Sequence, residues 1–267
     1  MIFLQNLKNI MKSRPIWLWG VSFVGFWLFM GVFVFTSDYN IPKSMIHSYA
    51  GVWFALDSVI SVSSIGVTMA YTIYYSSNSV AYLFKNSKLT PLRYYVDSIL
   101  SSGIAFVILG LVLTGLTCLF FFIKFHTIII PSLFIYSVAL FFVSGIIFYS
   151  LSSILVILFN NWLGLKNINF ISFISLFIGM GFGYTIIYSQ IPVTLLYGNF
   201  VTPLEYLYVY SFDAQIPTEV LANPYSKFIN LDYTVISVII WITILIIASI
   251  ISIKNIRGSN IEEARMT

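Results

Sequence analysis

Charge is what this sequence has least of. Only 8% of its 267 residues are Asp, Glu, Lys or Arg, against roughly 25% in an ordinary soluble domain. Cysteine is nearly missing as well. Cys118 stands alone in an apolar run, which excludes an intrachain disulfide and a cysteine-based metal cluster. The two histidines, His47 and His126, fall on different predicted loops, too few and too far apart for a metal site built by this chain alone. No G-x-x-x-x-G-K-[ST] run is present to cradle a nucleotide phosphate, no H-E-x-x-H to hold zinc, and no G-x-S-x-G to present a serine nucleophile. Catalysis, cofactor and metal therefore have no motif to stand on. The surplus of 13 Lys and Arg over 9 Asp and Glu is spread along the chain in a way that does not suggest nucleic acid.

What is abundant is apolar surface. Hydrophobic residues make up 59% of the chain and aromatics 18%, with a mean hydropathy of +0.95. Apolar runs of about 20 residues recur, each long enough to cross a hydrocarbon core about 30 Å thick. Lipid offers no backbone partners, so these runs must be helices. The expected fold is all-α and polytopic, a single membrane domain over residues 1–267. Six spans are predicted: 16–35, 51–75, 96–123, a fourth from after Pro131 to about 159, 168–188 and 233–253. The first run is too long for a cleavable signal peptide and lacks a small-residue cleavage pattern.

Residues 1–15 read as a basic amphipathic segment with Phe3, Leu7, Ile10 and Met11 on one face. Such a helix lies in the membrane interface; a plain charged flank is the other reading. Six spans put both ends on one side. Lys8, Lys12, Arg14, Lys85, Lys88, Arg93, Lys166, Lys254, Arg257 and Arg265 share that side, while Lys43, Lys124 and Lys227 lie opposite. The positive-inside rule makes the first side cytoplasmic, and a multi-pass protein of the cell membrane is expected. The opposite loops are acidic, with Asp38, Glu205, Asp213, Glu219 and Asp232.

Residues 76–92 form the main polar break on the cytoplasmic side. Val80, Leu83 and Phe84 fall at i, i+3 and i+4, on one face of a short helix. The Ser76–Ser79 run supplies candidate N-caps, and Thr90 before Pro91 marks the stop and the next start. With Lys85, Lys88 and Arg93 around it, this helix reads as a docking element for another protein. The 189–232 connection is too apolar for a solvated loop, yet Pro192, Gly198 and Pro203 break it before it can span. Two short helices dipping into the outer leaflet, with several tyrosines at the interface, are expected; an interfacial hairpin that never enters the membrane is the other reading.

Inside the spans, Asp57 begins a stripe with Ser61, Ser64 and Thr68 on one face of span two. It reads either as the wall of a translocation path or as helix-packing cement. Ser172, Ser175, Gly179 and Gly183 share a face of span five, suited to a dimer contact or to intrachain packing. Arg93 and Asp97 stand one turn apart and suggest a local ion pair.

The whole pattern resembles the permease subunits of ABC transporters of the ABC-2 type (type V exporters). The N-terminal amphipathic helix, the six spans, the helix ending in Leu89–Tyr94 (LTPLRY) and the broken helices before the last span carry the resemblance. It implies that Val80, Leu83 and Phe84, ringed by Lys85, Lys88 and Arg93, form a coupling helix that docks on a separate cytoplasmic ATPase subunit. It also implies a second permease subunit, identical or not, and ATP held by the partner rather than by this chain. The cargo expected of an aromatic, weakly charged interior is hydrophobic, lipidic or peptide-like. The alternative expectation is a secondary transporter driven by an ion gradient and centred on Asp57.

Overall fold

The computed structural model describes residues 2–36, 41–161, 168–223 and 225–256. The predicted loop positions Asp38, Trp162 and Lys166, and the tail positions Arg257 and Arg265, lie outside the described residues. Within them the chain is helical, with one isolated bridge between Thr218 and Phe228. Six helices are long and apolar enough to cross a membrane, so this is a multi-pass membrane protein.

The amphipathic start forms α1 (Ile2–Lys12), which lies against the start of α5 (Pro91–Phe125). Ile10 is buried there, Asn6 Nδ2 donates to Ser98 Oγ at 3.1 Å, and Ser101 Oγ donates to the Phe3 carbonyl at 2.8 Å. The first span runs Arg14–Val34. It consists of α2 (Arg14–Trp17) and α3 (Phe23–Phe29), with π-helical turns at Leu18–Ser22 and Met30–Val34. Each widened turn carries a glycine whose carbonyl is taken by the next helix. Ser61 Oγ donates to Gly20 O at 2.6 Å and the Tyr49 hydroxyl to Gly31 O at 2.9 Å.

That next helix, α4, runs unbroken from Ile46 to Asn86. Its 41 residues make it about 60 Å long, twice the hydrocarbon thickness. The separate short helix expected after Ser76 is therefore not formed. The serines cap nothing because their hydroxyls bond backwards: Ser76 Oγ to Ile73 O at 3.2 Å and Ser77 Oγ to Tyr74 O at 2.7 Å. No glycine or proline interrupts the helix between Gly66 and its end. The other boundary stands where expected. Thr90 is extended, its Oγ1 accepts from Arg93 N at 3.3 Å, and Pro91 opens α5.

Helix α4 is the hub. Among the six spans it is the least apolar, yet 94% of its most apolar window is buried, against 28% for the most apolar, α10 (Leu231–Lys254). Around it stand α6 (Phe134–Asn161), α7 (Ile168–Tyr188) and α9 (Val201–Asp213), while the short α8 (Val193–Tyr197) packs on α9 and α10. Small residues let the backbones close up: Ser152 Oγ reaches Gly66 O at 2.9 Å and Ser175 Oγ reaches Ser63 O at 3.2 Å. A Cβ on Gly145 would stand 2.9 Å from Gly103 Cα, so α5 and α6 touch almost backbone to backbone.

The 189–232 connection folds inward. Phe200 packs edge-on against Phe148 and Trp241, midway along α6 and α10. From there α9 returns along α4, with the Phe54 ring against Tyr208 and Phe212. Tyr206 and Tyr208 are fully buried, whereas Tyr225 of the same connection is exposed. The two buried hydroxyls find partners inside: Tyr208 bonds Ser144 at 2.9 Å and Tyr206 donates to Glu219 O at 2.7 Å.

Candidate functional site

Two carboxylates lie inside the bundle. Asp57 on α4 and Glu205 on α9 are both fully buried, and none of their four oxygens has a hydrogen-bond partner among the described residues. Placing Glu205 on an acidic outer loop is thereby corrected. Val201–Asp213 is apolar enough on every side to be packed all round, and Glu205 goes in with it. The signal was present in the sequence: one acid among PLEYLYVY is costly wherever that run is enclosed.

Helix α7 runs past both acids, meeting Glu205 at Gly183 and coming within electrostatic reach of Asp57 at Tyr184. Gly183 presents bare backbone, so that a Cβ there would stand 3.2 Å from Glu205 Oε2 and 3.3 Å from Leu56 Cδ1, next to Asp57 in sequence. One residue on, Tyr184 lies within electrostatic reach of Asp57, and its hydroxyl is buried without a partner. Its ring meets Trp27 of the first span at 6.1 Å, and the Trp27 Nε1 is likewise unpartnered. Helix α7 thus borders two buried acids, Glu205 beside Gly183 and Asp57 on the side of Tyr184 and Trp27. A charged carboxyl at a helix centre costs about 2.5–3.5 kcal/mol on insertion scales. Each acid is suited to taking up a proton or a cationic group.

The stripe below Asp57 divides its contacts. Ser61 is spent on the Gly20 carbonyl, Ser64 is buried without a partner, and Thr68 is buried with its carbonyl accepting from Thr72 Oγ1 at 2.9 Å. All four stripe residues are enclosed by the chain's own helices. Ser172, Ser175, Gly179 and Gly183 also face inward: Ser175 and Gly179 meet Ser63 of α4, and Gly183 meets Glu205.

At the far end of α4 the docking residues separate. Val80 is buried and Phe84 packs on Tyr94 with ring centroids 5.8 Å apart, so both help hold the α4–α5 hairpin. Leu83, Lys85, Lys88 and Arg93 are exposed. Arg93 and Asp97 do not pair; the ion pair among the described residues is His47–Asp213, at the opposite end.

Comparison with known proteins adds no relative. Neither a protein-family model, nor a curated protein, nor a solved structure matches this chain. Its class, an all-helical multi-pass membrane protein, rests on its own geometry.

Proposed function

We propose that the chain is the membrane-spanning permease subunit of an ATP-driven transporter of the ABC-2 kind, working as an exporter in the cell membrane. The carrying observation is α4. It continues well past the thickness of a hydrocarbon core and ends at Asn86 in a tight turn that exposes Leu83, Lys85, Lys88 and Arg93. In this reading both termini are cytoplasmic, α1 lies in the interface beside the turn, and α8 and α9 re-enter from the outside. A separate cytoplasmic ATPase docks on the turn and a second permease subunit completes the unit. Because α4 is one rigid helix, a displacement at the docked end is carried to the level of Asp57 and α9, where a path for a hydrophobic, lipidic or peptide-like substrate opens and closes. Affinity for the ATPase must then differ between the two states, since only a differential contact shifts an equilibrium.

The experiment is a mild-detergent pull-down of the tagged chain, with Leu83→Glu/Lys88→Glu as its control. These two side chains are exposed, so the variant keeps its fold while losing the docking face. A P-loop ATPase that co-purifies with the native chain and is lost with the variant is the expected result. No ATPase under several mild conditions overturns the reading.

The buried pair Asp57 and Glu205 favours a second reading, an ion-gradient-driven carrier, since partnerless acids inside a membrane bundle are suited to proton coupling. Asp57→Asn separates the two. An ion-coupled carrier loses gradient-driven uptake in liposomes, whereas an ATP-driven one keeps ATP-dependent transport.

A further inference from the structure

A cavity of about 240 Å³ lies between α1, α4, α5 and α6, beside the α4–α5 turn. Its lining includes no Asp, Glu, Lys, Arg or His. An ion entering it would shed water and meet no countercharge, which makes a charged occupant costly. One wall is amide: Gln5, Asn6 and Asn9 of α1. Asn6 already donates to Ser98, whereas Gln5 and Asn9 make no hydrogen bond among the described residues. The opposite wall presents Thr72 and Ser76, whose hydroxyl protons are committed to the Thr68 and Ile73 carbonyls at 2.9 and 3.2 Å. The Thr72 oxygen is left to the cavity as an acceptor only, while the Ser76 oxygen also faces the Tyr94 hydroxyl. Tyr94, Ser98 and Tyr149 add hydroxyls on the α5–α6 side, and the rest is apolar, chiefly Met69, Ile73, Val80, Leu83 and Leu89.

A ligand that satisfies these walls is uncharged, brings O–H or N–H donors at one end, and has an apolar body. The volume equals the liquid share of about eight waters, enough for a glycerol- or sugar-sized head and too little for a two-chain lipid. We propose that this cavity binds an uncharged, hydroxyl-bearing amphiphile, its head between the α1 amides and the Thr72–Ser76 hydroxyls and its chain along Ile73 and Val80. Binding to the chain alone does not depend on whether an ATPase docks nearby.

The test uses the purified full chain in phosphatidylcholine nanodiscs with a monoacylglycerol carrying a photoreactive diazirine near its head. Cross-linked peptides are mapped by mass spectrometry, with competition by unlabelled monoacylglycerol, free glycerol, a fatty acid and an alkylamine of matched length. Labelling concentrated on α1, on Met69–Leu83 and on Leu89–Ser98, and competed by monoacylglycerol but not by the fatty acid or the amine, is the expected result. If free glycerol competes as well, the site stands and its ligand is a soluble polyol. Ser76→Phe, which fills the cavity from a half-buried position, lowers labelling by about tenfold, the equivalent of about 1.4 kcal/mol. Should that variant not fold, Asn9→Asp on the exposed edge of α1 gives the alkylamine a countercharge, and the amine then competes. Labelling spread evenly over lipid-facing α10, equal competition by the fatty acid, or no response to either variant overturns the proposal.

Discussion

His47 Nδ1 stands 2.9 Å from Asp213 Oδ1, joining the first turn of α4 to the last residue of α9. The imidazole's other nitrogen lies 3.3 Å from the Ile130 carbonyl, and Ser48 Oγ donates to Asp213 Oδ2 at 2.6 Å. Both imidazole nitrogens face oxygen atoms of neighbouring elements. This is where α4, α9 and the α5–α6 connection are tied together.

Asp213→Asn weakens that tie. It keeps the shape and removes the charge that both His47 and Ser48 use. A loss of about 1–2 kcal/mol is expected, the lower part of the range for charge-assisted hydrogen bonds because His47 is partly solvated. Tryptophan-monitored thermal unfolding in detergent reads it as a lowered midpoint.

Position 183 should tolerate almost nothing. Gly183→Val pushes a branched side chain toward Glu205 Oε2 and Leu56, both within 3.3 Å of a single added carbon. Overpacking of this kind costs about 1–3 kcal/mol. Gly181 is the matched control on the same helix: an added Cβ meets nothing within 4 Å. Gly181→Ala should leave stability unchanged or raise it by up to about 1 kcal/mol. Equal effects at the two sites in a melting assay would show that α7 does not approach α9 at Gly183.

Ala214 ends α9 in the left-handed region, with φ 57°. The strain of a Cβ there is about 1–2 kcal/mol, while glycine adds about 0.4–1 kcal/mol of freedom to the unfolded chain. Ala214→Gly therefore stabilises by about 0.5–1 kcal/mol, seen as a raised melting midpoint.

Glu205→Met separates function from stability. The replacement is close in shape and carries no group needing a partner, so the melting midpoint holds or rises. Transport measured in proteoliposomes falls if the carboxylate serves the substrate or a coupling ion. A lowered midpoint instead would show that the acid has a structural partner.

The spans were legible because hydrophobic length is a property of composition alone, and α7 and α10 fall within two residues of the sequence expectation. The Thr90–Pro91 start was legible because cap and proline act locally. Ser76–Ser79 misled because a serine hydroxyl that can cap a helix can equally bond back to a carbonyl of the preceding turn, and the packing of α4 decides between the two. Glu205 was misplaced because depth is a tertiary quantity. Nothing local to PLEYLYVY says that α4, α6, α7 and α10 enclose it. The polar face of α7 was readable as a contact face, but its partner was not, since Ser63 and Glu205 reach it from positions more than a hundred residues and some twenty residues away in sequence.

The contrast between α4, least apolar and most enclosed, and α10, most apolar and least enclosed, has a consequence for how the chain is made. Helix α4 leaves the ribosome carrying Asp57 and a run of serines and threonines, when only the first span is present to receive it. Early satisfaction comes from Gly20 and Gly31 alone. At a synthesis rate of about 5–20 residues per second, Glu205 and the rest of α9 follow roughly ten seconds or more later. For that interval the least lipid-compatible helix must be sheltered at the insertion site or remain partly in water. The hub is thus made early and enclosed late, and a nascent chain that stops after α7 presents an unfinished α4 to membrane quality control.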